Sequence, residues 1–219
     1  NRGDRTADGA GRKEELNSSL PTLPDGYSAV PPGHVASVVT CLEMKARPTL
    51  RPARPFPADI RLHRWERPDV AGYRALFRAV GEDWLWFSRL IMPDAELHAI
   101  LEDPRVEVYA LRRGDEHAGI LELDYREAGQ CELAFFGLTR DVLGQGLGRR
   151  LMNEAIERAW SRPIERFWVH TCTLDSPAAL DFYLRSGFVA YALKVEVQAD
   201  PRLTGAMPRS CAPHVPLIE

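Results

Sequence analysis

With 219 residues the chain has length for one sizeable domain plus additions, and 45% apolar against 27% charged residues is the balance of an ordinary soluble fold. Its 28 basic and 31 acidic side chains leave a net charge of −3, which argues against a nucleic-acid or anionic-membrane surface. No apolar run reaches the roughly 18–20 residues needed to span a bilayer.

Residues 1–24 are polar, charged and small, without helix or strand period, and read as a disordered or loosely attached arm; its Arg2-Gly3-Asp4 triplet is taken as coincidence. No signal peptide is visible there. Residues 25–58 hold an extra strand and a connector. The β-branched run Val35–Met44 is the strand, and the connector from Arg47 to Pro57 is too rich in proline for regular structure. The main domain is expected over 59–198. It opens with a half-buried strand from Ile60, and then Val70, Tyr73, Leu76, Phe77 and Val80 recur at helical spacing. The aromatic run Trp84-Leu85-Trp86-Phe87 separates this helix from a second one, which Asp94 is placed to cap. Val106–Leu111 and Ala118–Tyr125 flank Arg113–Glu116 as a hairpin, and the strand starting at Cys131 continues the meander.

Next comes a glycine loop, Gly144-Gln145-Gly146-Leu147-Gly148-Arg149, and an amphipathic helix. Alternating glycines remove the Cβ atoms that would hold a ligand off the main chain. The helix's first N–H groups lack internal partners and carry its positive dipole end, which makes an anion site. No Lys follows as a P-loop requires, and the spacing is not the GxGxxG of dinucleotide folds. Phe167–Cys172 reads as a strand covered on both faces. Ser176-Pro177 should start a helix with a hydroxyl cap, which stops at Gly187. Phe188–Val197 closes the sheet, and 199–219 is expected to be a surface tail.

Leu143-Gly144-Gln145-Gly146-Leu147-Gly148 resembles the coenzyme A-binding motif of the GCN5-related N-acetyltransferases, [Q/R]xxGxG/A, with Leu143 where the family carries Gln or Arg. The order β-α-α-β-β-β-α-β-α-β over about 140 residues is similar to that family too. The resemblance implies an α/β (α+β) fold with a central mixed, mostly antiparallel sheet flanked by helices. The strand at Val35–Met44 lies outside that core, with Phe188–Val197 as its candidate neighbour. It also implies that Glu132–Leu138 and Phe167–Thr173 part to form the coenzyme cleft. Acetyl-CoA would then be the cosubstrate, with no metal, and Leu138, Gly144, Gln145, Gly146, Leu147, Gly148, Arg149 and Ser176 its contacts.

Acetyl transfer from a thioester to an amine needs a base, oxyanion donors and an acid for the thiolate. Tyr183, in an Ala178…Tyr183…Gly187-Phe188 segment similar to the family's AxxxxY…GF, is the candidate acid; a core aromatic is the plain alternative. Ser176 stands where many members carry Asn, as a helix cap first and a coenzyme contact second. Glu132 leads as base, since alternation would group it with Ala134 and Phe136 on one face, where burial raises a carboxyl's pKa; a bonded edge carboxylate is the alternative. His170 competes for the role, and Cys172 is not needed as a nucleophile. The four cysteines form no CxxC pair and read as free thiols in a reducing cytoplasm. Trp84, Trp86 and Phe87 fall where the family walls its acceptor pocket, and suggest an apolar or aromatic acceptor, a homodimer contact or packing.

The implied activity is N-acetylation of a primary amine on a small molecule or peptide by direct transfer in a ternary complex, in the cytoplasm, without nucleic-acid or membrane partners. A non-catalytic acyl-CoA-binding regulatory module would keep Gly144–Arg149 without needing Glu132 or Tyr183. A metal hydrolase lacks an HExxH or similar cluster.

Overall fold

The computed structural model describes residues 20–219, so most of the expected N-terminal arm and its Arg2-Gly3-Asp4 triplet lie outside the described residues. A seven-stranded mixed sheet runs β2-β3-β4-β5-β6-β1-β7. Its strands are β1 (His34–Met44), β2 (Ile60–Arg64), β3 (Val106–Arg113), β4 (Glu116–Asp124), β5 (Gln130–Leu138), β6 (Arg166–Cys172) and β7 (Val189–Ala199). Among the described residues five helices flank it: α1 (Val70–Gly81), the single turn α2 (Ser88–Ile91), α3 (Asp94–Glu102), α4 (Leu147–Ala159) and α5 (Ala179–Arg185).

Helix α1 starts where Asp69 accepts the Gly72 N–H at 2.7 Å and so supplies one missing partner of the first turn. Its apolar stripe of Tyr73, Leu76, Phe77 and Val80 packs with Leu97 and Leu101 of α3 on one face of β3 and β4. Asp94 does not cap α3. It is the helix's first residue, and its carboxylate accepts from Arg74 Nη1 at 2.6 Å. On the other sheet face Leu151, Met152, Ala155 and Ile156 of α4 pack on Leu121, Leu123, Leu133, Phe167 and Val169. Each helical layer thus buries about one large apolar side chain per turn, at roughly 1.5–3 kcal/mol apiece.

Two features position the cleft. The first is a register shift between Glu122 and Leu123, which pairs Leu123 with Leu133 but Glu122 with Phe135, so that Ala134 is bulged. The second is that β5 and β6, the one parallel pair, stay together only from Gln130–Arg166 to Glu132–Trp168 and then separate. Beyond that point β6 is held instead by β1, antiparallel from Val39–Cys172 to Met44–Phe167, and β1 pairs on its other side with β7. The extra N-terminal strand therefore pairs with the last strand as expected, but it also wedges between the last two.

Two expectations change. Strand β6 is not covered on both faces: Phe167, Val169 and Thr171 are buried while His170 is exposed. The segment 200–219 keeps an exposed side but is also packed onto the domain. Arg202 is 3% exposed and donates to Asp200 Oδ2 at 2.7 Å and to the Val215 carbonyl at 2.9 Å. This pinned turn lets Met207, Cys211 and Ala212 pack with Leu85, Leu174 and Val35.

Candidate functional site

Where β5 and β6 part, a cleft of about 440 Å³ opens. Phe136, Gly137 and Leu138 line one side and Val169, His170 and Cys172 the other; Phe182 and Tyr183 of α5 close one flank and Trp84–Ser88 another. At one end stands the N-terminus of α4. Gly146 precedes the helix at φ 79 and offers no side-chain cap, so the first-turn N–H groups stay available. Gly144 has φ 75, and a Cβ on either glycine would project into open space; both must be glycine for conformation rather than for room. Gly148 faces the cleft wall, where a Cβ would make ordinary contacts with Leu138 Cδ1 at 3.9 Å and Phe182 Cε2 at 4.0 Å.

The other expected coenzyme contacts separate by role. Leu147 is 3% exposed and packs with Ile60, Leu111 and Val142, so only its backbone faces the loop. Gln145 braces the loop, accepting from Arg113 Nη2 at 3.0 Å and donating to the Asp141 carbonyl at 3.1 Å. Arg149 lies over the Phe182 ring, 4.8 Å from its centroid, and donates to Ser186 Oγ at 2.9 Å. Burial, then repulsion from Arg51 and Arg185, holds the Arg149 guanidinium below its ordinary pKa, an excess of positive charge that a phosphate would relieve. The loop, the free helix end and this arginine group together fit the phosphates of coenzyme A. Leu138 and Ser176 line the cleft. Ser176 does not cap α5, which begins at Ala179 without a side-chain cap; its hydroxyl accepts the Ala178 N–H at 3.4 Å and its carbonyl the Ala179 N–H at 2.8 Å, in the turn before the helix.

Tyr183 packs against Phe136, Phe182 and Phe188, with ring centroids 5.8–6.4 Å apart. Burial, then the Asp175 carboxylate, pushes its phenol pKa up, so the hydroxyl keeps its proton through the whole neutral range. Burial, then Asp175, likewise raises the Cys172 thiol. Such a thiol is a poor nucleophile.

Glu132 and His170 face each other, His170 Nδ1 lying 3.8 Å from Glu132 Oε1. Of the two, His170 is on the cleft wall and Glu132 is not. The grouping of Glu132 with Ala134 and Phe136 fails because the bulge reverses the alternation. Phe135 turns toward Phe77 and Trp86 in the α1 core, while Phe136 turns toward Phe182 and Tyr183.

Two parts of the site have no precedent in the sequence reading. Asp175, just past β6, accepts from Trp86 Nε1 (3.0 Å), Thr171 Oγ1 (2.7 Å) and the Cys172 N–H (2.9 Å), and so ties the aromatic loop to the cleft. Below Phe135, fully buried Glu122 accepts from Tyr73 Oη and from Arg89 Nη2, the latter at 2.7 Å. Burial alone would lower the Arg89 pKa, and the Glu122 charge reverses that; burial and Glu122 both raise Tyr73. Glu122 had one available signal, a carboxylate among β-branched and leucine neighbours that demands a buried partner.

The model of the acetyltransferase (GNAT) family matches residues 73–188, from α1 to the end of α5. Among solved structures, a GCN5-related N-acetyltransferase from Sphaerobacter thermophilus superposes with a TM-score of 0.56 at 17% identity, covering 86% of this chain and 55% of its own. One from Kribbella flavida superposes at 0.50 and 18% identity, covering 79% of this chain and 63% of its own. This chain thus spans less than two thirds of either structure's length. No curated protein matches it. With the family model spanning more than half of the chain and the fold shared, the protein belongs to the GNAT family of acetyltransferases.

Proposed function

We propose that the protein transfers an acetyl group from acetyl-CoA to a primary amine of a small molecule or peptide, directly, within a ternary complex. The observation that carries this reading is the parted β5–β6 pair, with the uncapped α4 N-terminus at one end and Tyr183 and His170 on its walls. Acetyl-CoA, when bound, supplies an activated thioester.

The α4 N–H groups, the glycine backbone and Arg149 hold the phosphates. The edge of β5 beyond Glu132, free of β6, presents main-chain groups along the cleft. His170 accepts the proton that the amine must lose to attack, and Glu132 behind it stabilises the imidazolium so formed. Tyr183, kept protonated by burial, gives its proton to the departing sulfur. The raised Cys172 thiol favours direct transfer over an acyl-cysteine. On the acceptor side the wall combines Trp84, Trp86 and Phe87 with the carboxylates of Asp175 and Glu196, a chemistry suited to a cationic amine on an apolar body.

Calorimetric titration with acetyl-CoA, beside the same titration on Gly146→Trp, tests the coenzyme site. Saturable binding lost in the variant is expected, and acetylation of an amine panel, followed by release of free thiol, tests the transfer. Absence of binding by the native chain would overturn the reading. Binding without transfer to any amine would favour a non-catalytic acyl-CoA module.

A further inference from the structure

Strand β7 ends the sheet, and among the described residues no strand pairs with its outer edge. It is eleven residues long and mostly exposed. Val189, Leu193, Val195 and Val197 are 66%, 72%, 46% and 47% exposed, and Val38, the β1 neighbour of Val195, is 43% exposed. Proteins blunt such edges with proline, with several charges or with a short strand. None of these is present: the strand contains no proline, and its only charges are Lys194 and Glu196.

Those two charges say what the edge fits. When an antiparallel strand pairs with a copy of itself, two opposed residues point their main-chain groups either both toward or both away from each other, so the two-fold axis passes through a residue and not between two. An axis at Lys194 would set two ammonium groups opposite each other, and one at Glu196 two carboxylates; both are unfavourable. An axis at Val195 places Lys194 of each copy directly opposite Glu196 of the other, on one sheet face. On the other face it joins Val195 to Val195 and Leu193 to Val197. Neither Lys194 nor Glu196 has an ion-pair partner among the described residues. The pairing with β1 is regular from Ala192 to Ala199, the shift lying beside Tyr191, so this stretch is free of the bulge that would spoil self-pairing.

We infer that β7 is the interface with a second copy of this chain, the two edges pairing antiparallel about Val195 into a continuous fourteen-stranded sheet. The consequence reaches the cleft. Glu196 lines it, and Lys194 of the second copy would sit beside that carboxylate.

Sedimentation of the full chain over a concentration series gives the test, with Lys194→Glu and the exchanged double variant Lys194→Glu/Glu196→Lys alongside. The wild type should sediment at twice the chain mass, Lys194→Glu as a monomer, and the double variant again as a dimer, because the exchange restores both pairs. Amide exchange across 192–198 should slow with rising wild-type concentration, a readout that does not depend on any variant folding. A wild-type monomer at all concentrations would overturn the inference. So would a dimer indifferent to Lys194→Glu, which would place the interface elsewhere.

Discussion

The indole Nε1 of Trp86 donates to Oδ1 of Asp175 at 3.0 Å, joining the loop after α1 to the turn after β6 across 89 positions of sequence. Gly81 makes this possible, because a Cβ there would lie 2.3 Å from that of Trp86. Trp86→Phe keeps the ring against Phe77 and Phe135 but loses the hydrogen bond, worth about 1 kcal/mol. The acceptor KM should rise about fivefold while acetyl-CoA binding by calorimetry stays unchanged.

Tyr183→Phe removes a hydroxyl and preserves the contacts with Phe136, Phe182 and Phe188. The variant should fold and bind acetyl-CoA normally, with kcat lower by about 10²- to 10⁴-fold. Steady-state kinetics beside a thermal melt separate this from a packing defect, which would lower Tm as well.

The buried Tyr73–Glu122–Arg89 group predicts an asymmetry. Arg89→Met strands a carboxylate with no access to water and should cost about 3–5 kcal/mol. Arg89→Met/Glu122→Gln, which removes both charges, should recover much of that loss. Urea unfolding of the two variants checks the order.

Arg202 and its donation to Asp200 hold the Asp200 carboxyl below its ordinary pKa of 3.8. For a carboxyl with a depressed native pKa the stabilisation is complete above the unfolded value and is lost as pH falls through the native one. The 200–219 segment should therefore loosen as pH falls below about 3.8, whereas Arg202→Met, which removes the cause of the depression, should loosen it without this acid dependence, with the Trp84 fluorescence reporting it through its 6.0 Å contact with His214.

The cleft's main features were legible because local chemistry dictates them. Glycine at 144 and 146 is required by positive φ, and the helix that follows carries its stripe in plain periodicity. What escaped is non-local. No pattern in CELAFF announces that Ala134 is bulged, because the shift belongs to its pairing with β4. The burial of 200–219 hangs on one arginine that also reaches the Cys211, Ala212 and Val215 carbonyls, and a chain position rich in prolines gives no hint of it. Asp175 was hidden for the same reason, its indole partner lying three helices and four strands earlier.

The wedge made by β1 has a consequence for biosynthesis. His34–Met44 is translated more than a hundred residues before either of its neighbours, β6 and β7. At about 5–20 residues per second the strand waits roughly 10–30 s for its second partner. Until then an apolar ribbon with at least one open edge is exposed to chaperones or to its own kind. Completion of the sheet, and with it the wall bearing His170, thus waits until β7 has been made.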